Sequence, residues 1–278
     1  MNREQMDLTI LVDDKAREGL VAEHGFALWI ENDERIILFD TGHTTALSEN
    51  AARLSKDLSK VTDLVISHGH YDHTGGIETV VTRAKKTRVF LHQGAFLPRY
   101  VKEPDGPRAV RMPEQSLKAL DRLTDDRMYW ATRPLQLNSS IGVSGPIPRN
   151  NDSEDVGDLF FLNIECSRPD LIEDDLALWI KTQAGLVVCV GCSHAGIINT
   201  LEAVRSITGE QKIHTVIGGL HLRNASSRRL AFTVSELNHL GVKRLIPCHC
   251  TGDAATRFLE ETVTAELIRG YAGLSVSI

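Results

Sequence analysis

Nowhere in this 278-residue chain do 18 apolar residues run together, so no membrane-crossing helix is expected. The opening stretch MNREQMDLTILVDD has no apolar core of signal-peptide length and no small-residue cleavage site, which points to a cytoplasmic protein. A charge of one sign is missing too. The net charge of −6 comes from 31 basic and 37 acidic residues interspersed along the chain, so nothing supports a nucleic-acid or membrane partner. The five cysteines (Cys166, Cys189, Cys192, Cys248, Cys250) are an odd number. In a reducing compartment they exclude a disulfide framework and leave metal, catalytic or core roles.

What the chain does have is enough apolar residue, 42%, to bury a real core. LTILVDD, HGFALWIEN and RIILFDTG read as consecutive strands, with ENDER as a hairpin turn. ALSENAARLSKDL has helical spacing, VTDLVIS is a buried strand, GGIETVVTRAKK a helix and TRVFLHQ a strand. The second half repeats the plan. ALWI occurs at Ala27–Ile30 and again at Ala177–Ile180, 150 residues later. RIILFDTGH is answered by GLVVCVGCSH, placing His43 opposite His194, and LVISHGH by TVIGGLH, placing His70 opposite His221. Shared order and spacing imply two βαβ-rich halves packed sheet to sheet, helices outside, with a site at the seam.

Between the halves, at about 98–157, seven of the nine prolines cluster among Arg99, Lys102, Arg108, Arg111, Arg122 and Arg149. A stretch of that length inside a compact domain predicts a lid or insertion, partly ordered by the helix EQSLKALDRL.

One segment carries the chemistry. VISHGHYDHTGGI holds His68, His70, Asp72 and His73 within six residues, directly after an apolar strand and directly before a helix. Loops at strand ends are positioned by a rigid scaffold. His68 and His70 can turn to one cation, and Asp72 and His73 to a second. Imidazole with a single carboxylate suits zinc, iron or manganese rather than calcium or magnesium.

This pattern resembles the metallo-β-lactamase superfamily, whose hallmark is His-x-His-x-Asp-His preceded by an Asp that ends an earlier strand, here Asp40 in LFDTG. The resemblance spans essentially the whole chain. It implies an α/β fold, a four-layer αβ/βα sandwich with internal pseudo-duplication, and a one- or two-metal site between the sheets. It further implies that Asp40 orients the motif loop and its histidines, and that His249 in IPCHCTG is the last metal histidine. Cys248 and Cys250, on either side of His249, point away from the metal if strand alternation continues and are expected in the core or behind the ligands rather than as ligands. VCVGCSHAGI departs from the family pattern, with Cys192 at the position of the bridging Asp and His194 two residues on. Either His194 completes the first metal site or one metal has fewer protein ligands. GCSHAGI, GGLHL and PCHCTG together resemble a branch that includes enzymes of methanopterin synthesis, which join a dihydropterin to a ribofuranosylaminobenzene phosphate, and metal-dependent hydrolases. His43, His92 and His24 sit beside turn or strand signals and are not expected at the metal.

The function expected is that of a metal-dependent hydrolase using one or two divalent ions, zinc first, with iron or manganese as alternatives. Asp72 would orient the attacking water, and His221 or His194 would protonate the leaving group. Basic residues of the middle segment, with backbone N–H groups at the SHAGI helix start, would receive a small anionic substrate. Group transfer and a non-catalytic metal-bearing sensor are the competing classes. A homo-oligomer is compatible with the sequence.

Overall fold

Alternation along the strands sorts apolar residues onto two faces, and both faces are covered. In the computed structural model, which describes residues 6–157 and 159–278, the first half runs through strands β1 (Asp7–Val12), β2 (Ala27–Glu31), β3 (Ile36–Phe39), β4 (Asp63–Val65) and β5 (Arg88–Leu91). Helices α1 (Ala46–Arg53), α2 (Tyr71–Thr74) and α3 (Ile77–Arg83) lie in its connections. The middle supplies the hairpin β6 (Tyr100–Glu103) and β7 (Gly106–Ala109), then helix α4 (Glu114–Asp121). Four short strands follow: β8 (Met128–Trp130), β9 (Leu135–Gln136), β10 (Ile141–Val143) and β11 (Phe160–Phe161). The second half runs β12 (Ala177–Thr182), β13 (Gly185–Val190), α5 (Ile197–Thr208), β14 (Ile213–Gly219), α6 (Ser227–His239), β15 (Arg244–Cys248), α7 (Asp253–Thr262) and β16 (Glu266–Leu267). Strand β17 (Ser275–Ser277) follows and pairs back onto β1.

Two seven-stranded sheets result, in the orders β17-β1-β2-β3-β4-β5-β8 and β16-β15-β14-β13-β12-β10-β9. Leu28 and Ile30 of β2 and Leu178 and Ile180 of β12 meet in the core between the sheets. Their alternating neighbours Trp29 and Trp179 turn outward, each into the layer under its own set of helices. The fold is therefore a four-layer αβ/βα sandwich. Each ALWI strand is buried on both faces, which is why it carries no polar alternation. The halves also share a strand plan. An antiparallel pair, β2–β3 or β12–β13, is followed by two parallel additions, β4 and β5 or β14 and β15.

The stretch 98–157, expected as a lid or insertion, takes two parts in the fold. Most of it is built into the sandwich, with β8 edging the first sheet beside β5 and β9–β10 edging the second beside β12. Ile141 and Val143 bury between the sheets, and Ala119 and Leu120 of α4 bury under the first helical layer. What stands over the seam is a separate three-stranded sheet in the order β11-β6-β7.

Candidate metal centre

The candidate residues come from loops at the carboxyl ends of the strands: Asp40 after β3, His68 after β4, Cys192 and His194 after β13, His221 after β14 and His249 after β15. Four residues there hold a positive φ without being glycine: Asp40 (62°), Ser193 (54°), His221 (48°) and His249 (46°). Each such residue costs about 1–3 kcal/mol and persists only where its surroundings over-determine it.

His68, His70 and His194 form one group. His68 Nε2 lies 2.9 Å from His70 Nδ1, and the His194 ring packs 4.7 and 4.9 Å from the His68 and His70 rings. His194 Nδ1 is 2.9 Å from the Val156 carbonyl, which makes that nitrogen the N–H donor and leaves Nε2 bare. Among the described residues, His194 Nε2 is buried with no protein hydrogen-bond partner. Burial holds all three imidazoles well below their usual range, and for His70 the Arg99 guanidinium adds to it. Neutral imidazoles converging on one point fit a cation.

A second group surrounds Asp72. Its Oδ2 lies 3.3 Å from His249 Nε2 and 3.9 Å from His73 Nε2. Burial would push this carboxyl up, but His73 and His249 hold it well below the usual carboxylate range. Burial opposes charge on His249 as well, and its hydrogen bonds to Asp14 and Asp72 raise it regardless. Between the two groups sits Cys192. Its Sγ is 3.2 Å from His73 Nε2, and it falls within 4.8 Å both of His68 and His194 and of His73 and His249. Burial pushes this thiol up, so its thiolate form calls for a cation beside it.

Asp40 ties the motif loop together. Its Oδ1 accepts Ser67 N–H at 2.7 Å, and its Oδ2 accepts the Ser67 hydroxyl at 2.7 Å and lies 2.7 Å from His73 Nδ1. Ser67 Oγ in turn is 2.9 Å from His68 Nδ1. One buried carboxylate thus aims an imidazole of each group. On the far side of the loop, Asp174 Oδ2 accepts Gly69 N–H at 2.8 Å, and Arg99 clamps Asp174 from below. Gly69 has no room for a side chain, since a Cβ there would collide with Ala95 and the Arg99 guanidinium.

The structure differs from the sequence reading at several places. Cys248 enters the intersheet core, as alternation predicts. Cys250 does not follow it, because β15 ends at Cys248 and the turn at His249 brings Cys250 to Cys192 and His221. The N–H groups at the start of α5 are not open to a substrate. Glu154 accepts those of Ile198 and Asn199, and Asp175 accepts that of Ala195. Arg99, expected among lid cations, is fully buried in ion pairs with Asp170 and Asp174. Arg108 does line the cavity over the centre. His92 caps a turn by accepting Gly94 N–H, and His43 packs edge-on against Tyr71. His24, set aside from the sequence, has its Nε2 3.3 Å from Asp72 Oδ2. Its partner Asp14 lies two residues past the end of β1.

Glu154 also sets a stability expectation. Removing the carboxylate that caps α5, as in Glu154→Ala, should cost about 1–2 kcal/mol in urea unfolding and leave metal content unchanged. A loss of metal equal to that of a motif variant would show that Glu154 supports the centre instead.

The model of the metallo-beta-lactamase superfamily matches residues 21–150. An uncharacterised protein of Methanocaldococcus jannaschii is 30% identical over 98% of this chain and 100% of its own length. This chain belongs to the metallo-β-lactamase superfamily. Another protein of that organism, 7,8-dihydropterin-6-methyl-4-(beta-D-ribofuranosyl)-aminobenzene-5'-phosphate synthase, is 29% identical over 91% of this chain and 89% of its own. Among solved structures, a metal-dependent hydrolase of the beta-lactamase superfamily superposes with a TM-score of 0.83 at 32% identity, covering 98% of this chain and 99% of that one. Members of the superfamily bind divalent metal ions and are mostly enzymes, and small-molecule substrates are typical of them.

Proposed function

We propose that this superfamily member is a metal-dependent hydrolase acting on an ester, phosphoester or related bond of a small molecule. The observation that carries the reading is the meeting of two donor groups, His68/His70/His194 and Asp72/His73/His249, on either side of Cys192, with His70, His194, Asp72, His249 and Cys192 lining one cavity of about 230 Å³. These residues would hold one or two divalent ions, with zinc the best fit to imidazole, thiolate and a single carboxylate. When bound, the ions supply a Lewis acid and an acidified water at neutral pH. Asp72 would hold a cation through its carboxylate and would orient the attacking water. His221, its ring 4.4 Å from His194, protonates the leaving atom, because His194 Nδ1 is already engaged by Val156. Phe160, whose ring packs on those of His70 and His194, lines the cavity with Val101 and Val110 and would exclude water around the substrate, while Arg108 offers a cation to an anionic one.

Kinship with the synthase favours group transfer as a second reading. Turnover in ¹⁸O-labelled water separates the two, since hydrolysis places solvent oxygen in the product and transfer does not.

Purified protein should carry about one to two transition-metal ions per chain, and chelation should lower its thermal stability. Cys192 should resist alkylation until the metal is removed. Protein that neither retains nor takes up zinc, iron or manganese would overturn the reading. Thiol reactivity indifferent to chelation would remove Cys192 from the centre.

A further inference from the structure

Asp72 Oδ2 has a third imidazole beside it. His24, from the loop between β1 and β2, brings Nε2 to 3.3 Å from that oxygen, the same separation as His249 Nε2. His73 Nε2 completes the cluster at 3.9 Å. Donor atoms around a four-coordinate ion with bonds of about 2.0–2.1 Å stand roughly 3.3–3.4 Å apart, the edge of the tetrahedron. The His24 and His249 nitrogens, each 3.3 Å from one carboxylate oxygen, match that edge, and His73 Nε2 at 3.9 Å stands about half an ångström beyond it.

The placement of His24 is built in rather than incidental. Asp14 uses one oxygen for each of two rings: Oδ1 lies 2.6 Å from His249 Nδ1, and Oδ2 lies 3.3 Å from His24 Nδ1. A carboxylate on Nδ1 fixes the ring and leaves Nε2 as the free donor, the arrangement that supports histidine ligands to metals. Here a single carboxylate does this for both rings, and both Nε2 atoms face Asp72. Arg223 Nη2 donates to Asp14 Oδ2 at 2.7 Å and holds that carboxylate in turn. The backbone anchors the loop from the other side. Phe26 N–H donates to the Asp72 carbonyl at 3.2 Å, and Gly25 lies so close that a Cβ there would stand 2.5 Å from the same oxygen. His24 is therefore clamped to Asp72 through the main chain as well as facing its side chain.

We propose that His24 is a ligand of the second cation, completing an N₃O set with Asp72, His73 and His249. The assignment rests on the metal-centre reading and adds to it a residue outside the His-x-His-x-Asp-His motif. The His24 side chain is 45% exposed, whereas those of His73 and His249 are buried, so this ligand stands on the solvent side of the ion. The second ion is then the more readily exchanged of the two, because its outermost ligand can swing away without opening the core.

Cobalt(II) titration of metal-free protein, followed by visible absorption and metal analysis, tests this without a substrate. Wild type should take up two ions. His24→Ala should keep the first with an unchanged spectrum, bind the second at least ~10–100-fold more weakly, and alter its absorption. His43→Ala, which removes a nearby imidazole packed 4.6 Å from the Tyr71 ring, should behave as wild type. Second-ion affinity and spectrum unchanged in His24→Ala, beside a wild type that binds two, would overturn the His24 assignment alone. An equal loss in His43→Ala would also overturn it, as a general effect of perturbing this face. A wild type that binds no second ion would overturn the second site, and His24 with it.

Discussion

Arg99→Met should lower the stability of the folded chain by about 3–5 kcal/mol and reduce metal content with it. Arg99 is fully buried, donating through Nε to Asp170 Oδ2 at 2.7 Å, through Nη1 to Asp174 Oδ2 at 3.0 Å, and through Nη2 to Asp174 Oδ1. Burial works against this charge, and the two carboxylates more than offset it. Methionine keeps much of the volume but leaves Asp170 and Asp174 buried without a counter-ion. For a domain of ordinary stability, about 5–15 kcal/mol, that is a large fraction of the total. The metal centre feels the change through one hydrogen bond. Asp174 Oδ2 accepts Gly69 N–H between His68 and His70, so a displaced Asp174 releases the turn that aims both imidazoles. Urea unfolding with and without bound zinc measures both effects. Adding Asp170→Asn and Asp174→Asn to Arg99→Met should recover stability, because no unpaired charge then remains. A single variant within 1 kcal/mol of wild type would show that the buried network carries little of this load.

The sandwich was legible because its evidence is local and repeated. ALWI twice, each followed by an apolar strand and a strand-end loop, marks two halves of one plan, and the paired topology of β2–β5 and β12–β15 follows it. His68, His70, Asp72 and His73 stand out because the donors fall within six residues, and His249 because it closes an apolar strand. The misses share a different cause. β9 has two residues and β10 three, too few to show a period, so the middle stretch, read as a lid or insertion, gave no sign of its sheet edges. Cys250 was assigned by extending a strand that ends two residues earlier, at Cys248. His24 and Asp14 reach the centre only through tertiary packing of the loop after β1, and no spacing in the sequence reports that approach. Glu154 closes a helix start that lies 44 residues away in sequence.

Asp72→Ala should lose the second ion and, on any ester or phosphoester that the wild type turns over, about 10³-fold in rate, within the range for a positioned acid–base group. Asp72 is the only carboxylate set among the Nε2 atoms of His24, His73 and His249 in the described centre, so its loss removes both a ligand and the negative charge that balances them. The fold should survive, since imidazoles left without it can become neutral rather than stay as buried cations. Acidification of the chelated wild type offers a second readout. The native carboxyl sits well below its unfolded value, so its contribution to stability is present above the ordinary carboxylate range and is lost as pH falls through the native pKa. His249, raised in the native state, contributes below the ordinary imidazole range, and that contribution disappears as pH rises through its own native value. In chelated Asp72→Ala both contributions shrink together, because each group is the other's partner, and the stability profile between those limits should flatten. Metal analysis, turnover and pH-dependent unfolding of the same variant give three independent checks. Wild-type metal content with undiminished turnover in Asp72→Ala would place the second ion, and the water it acidifies, elsewhere in the cavity.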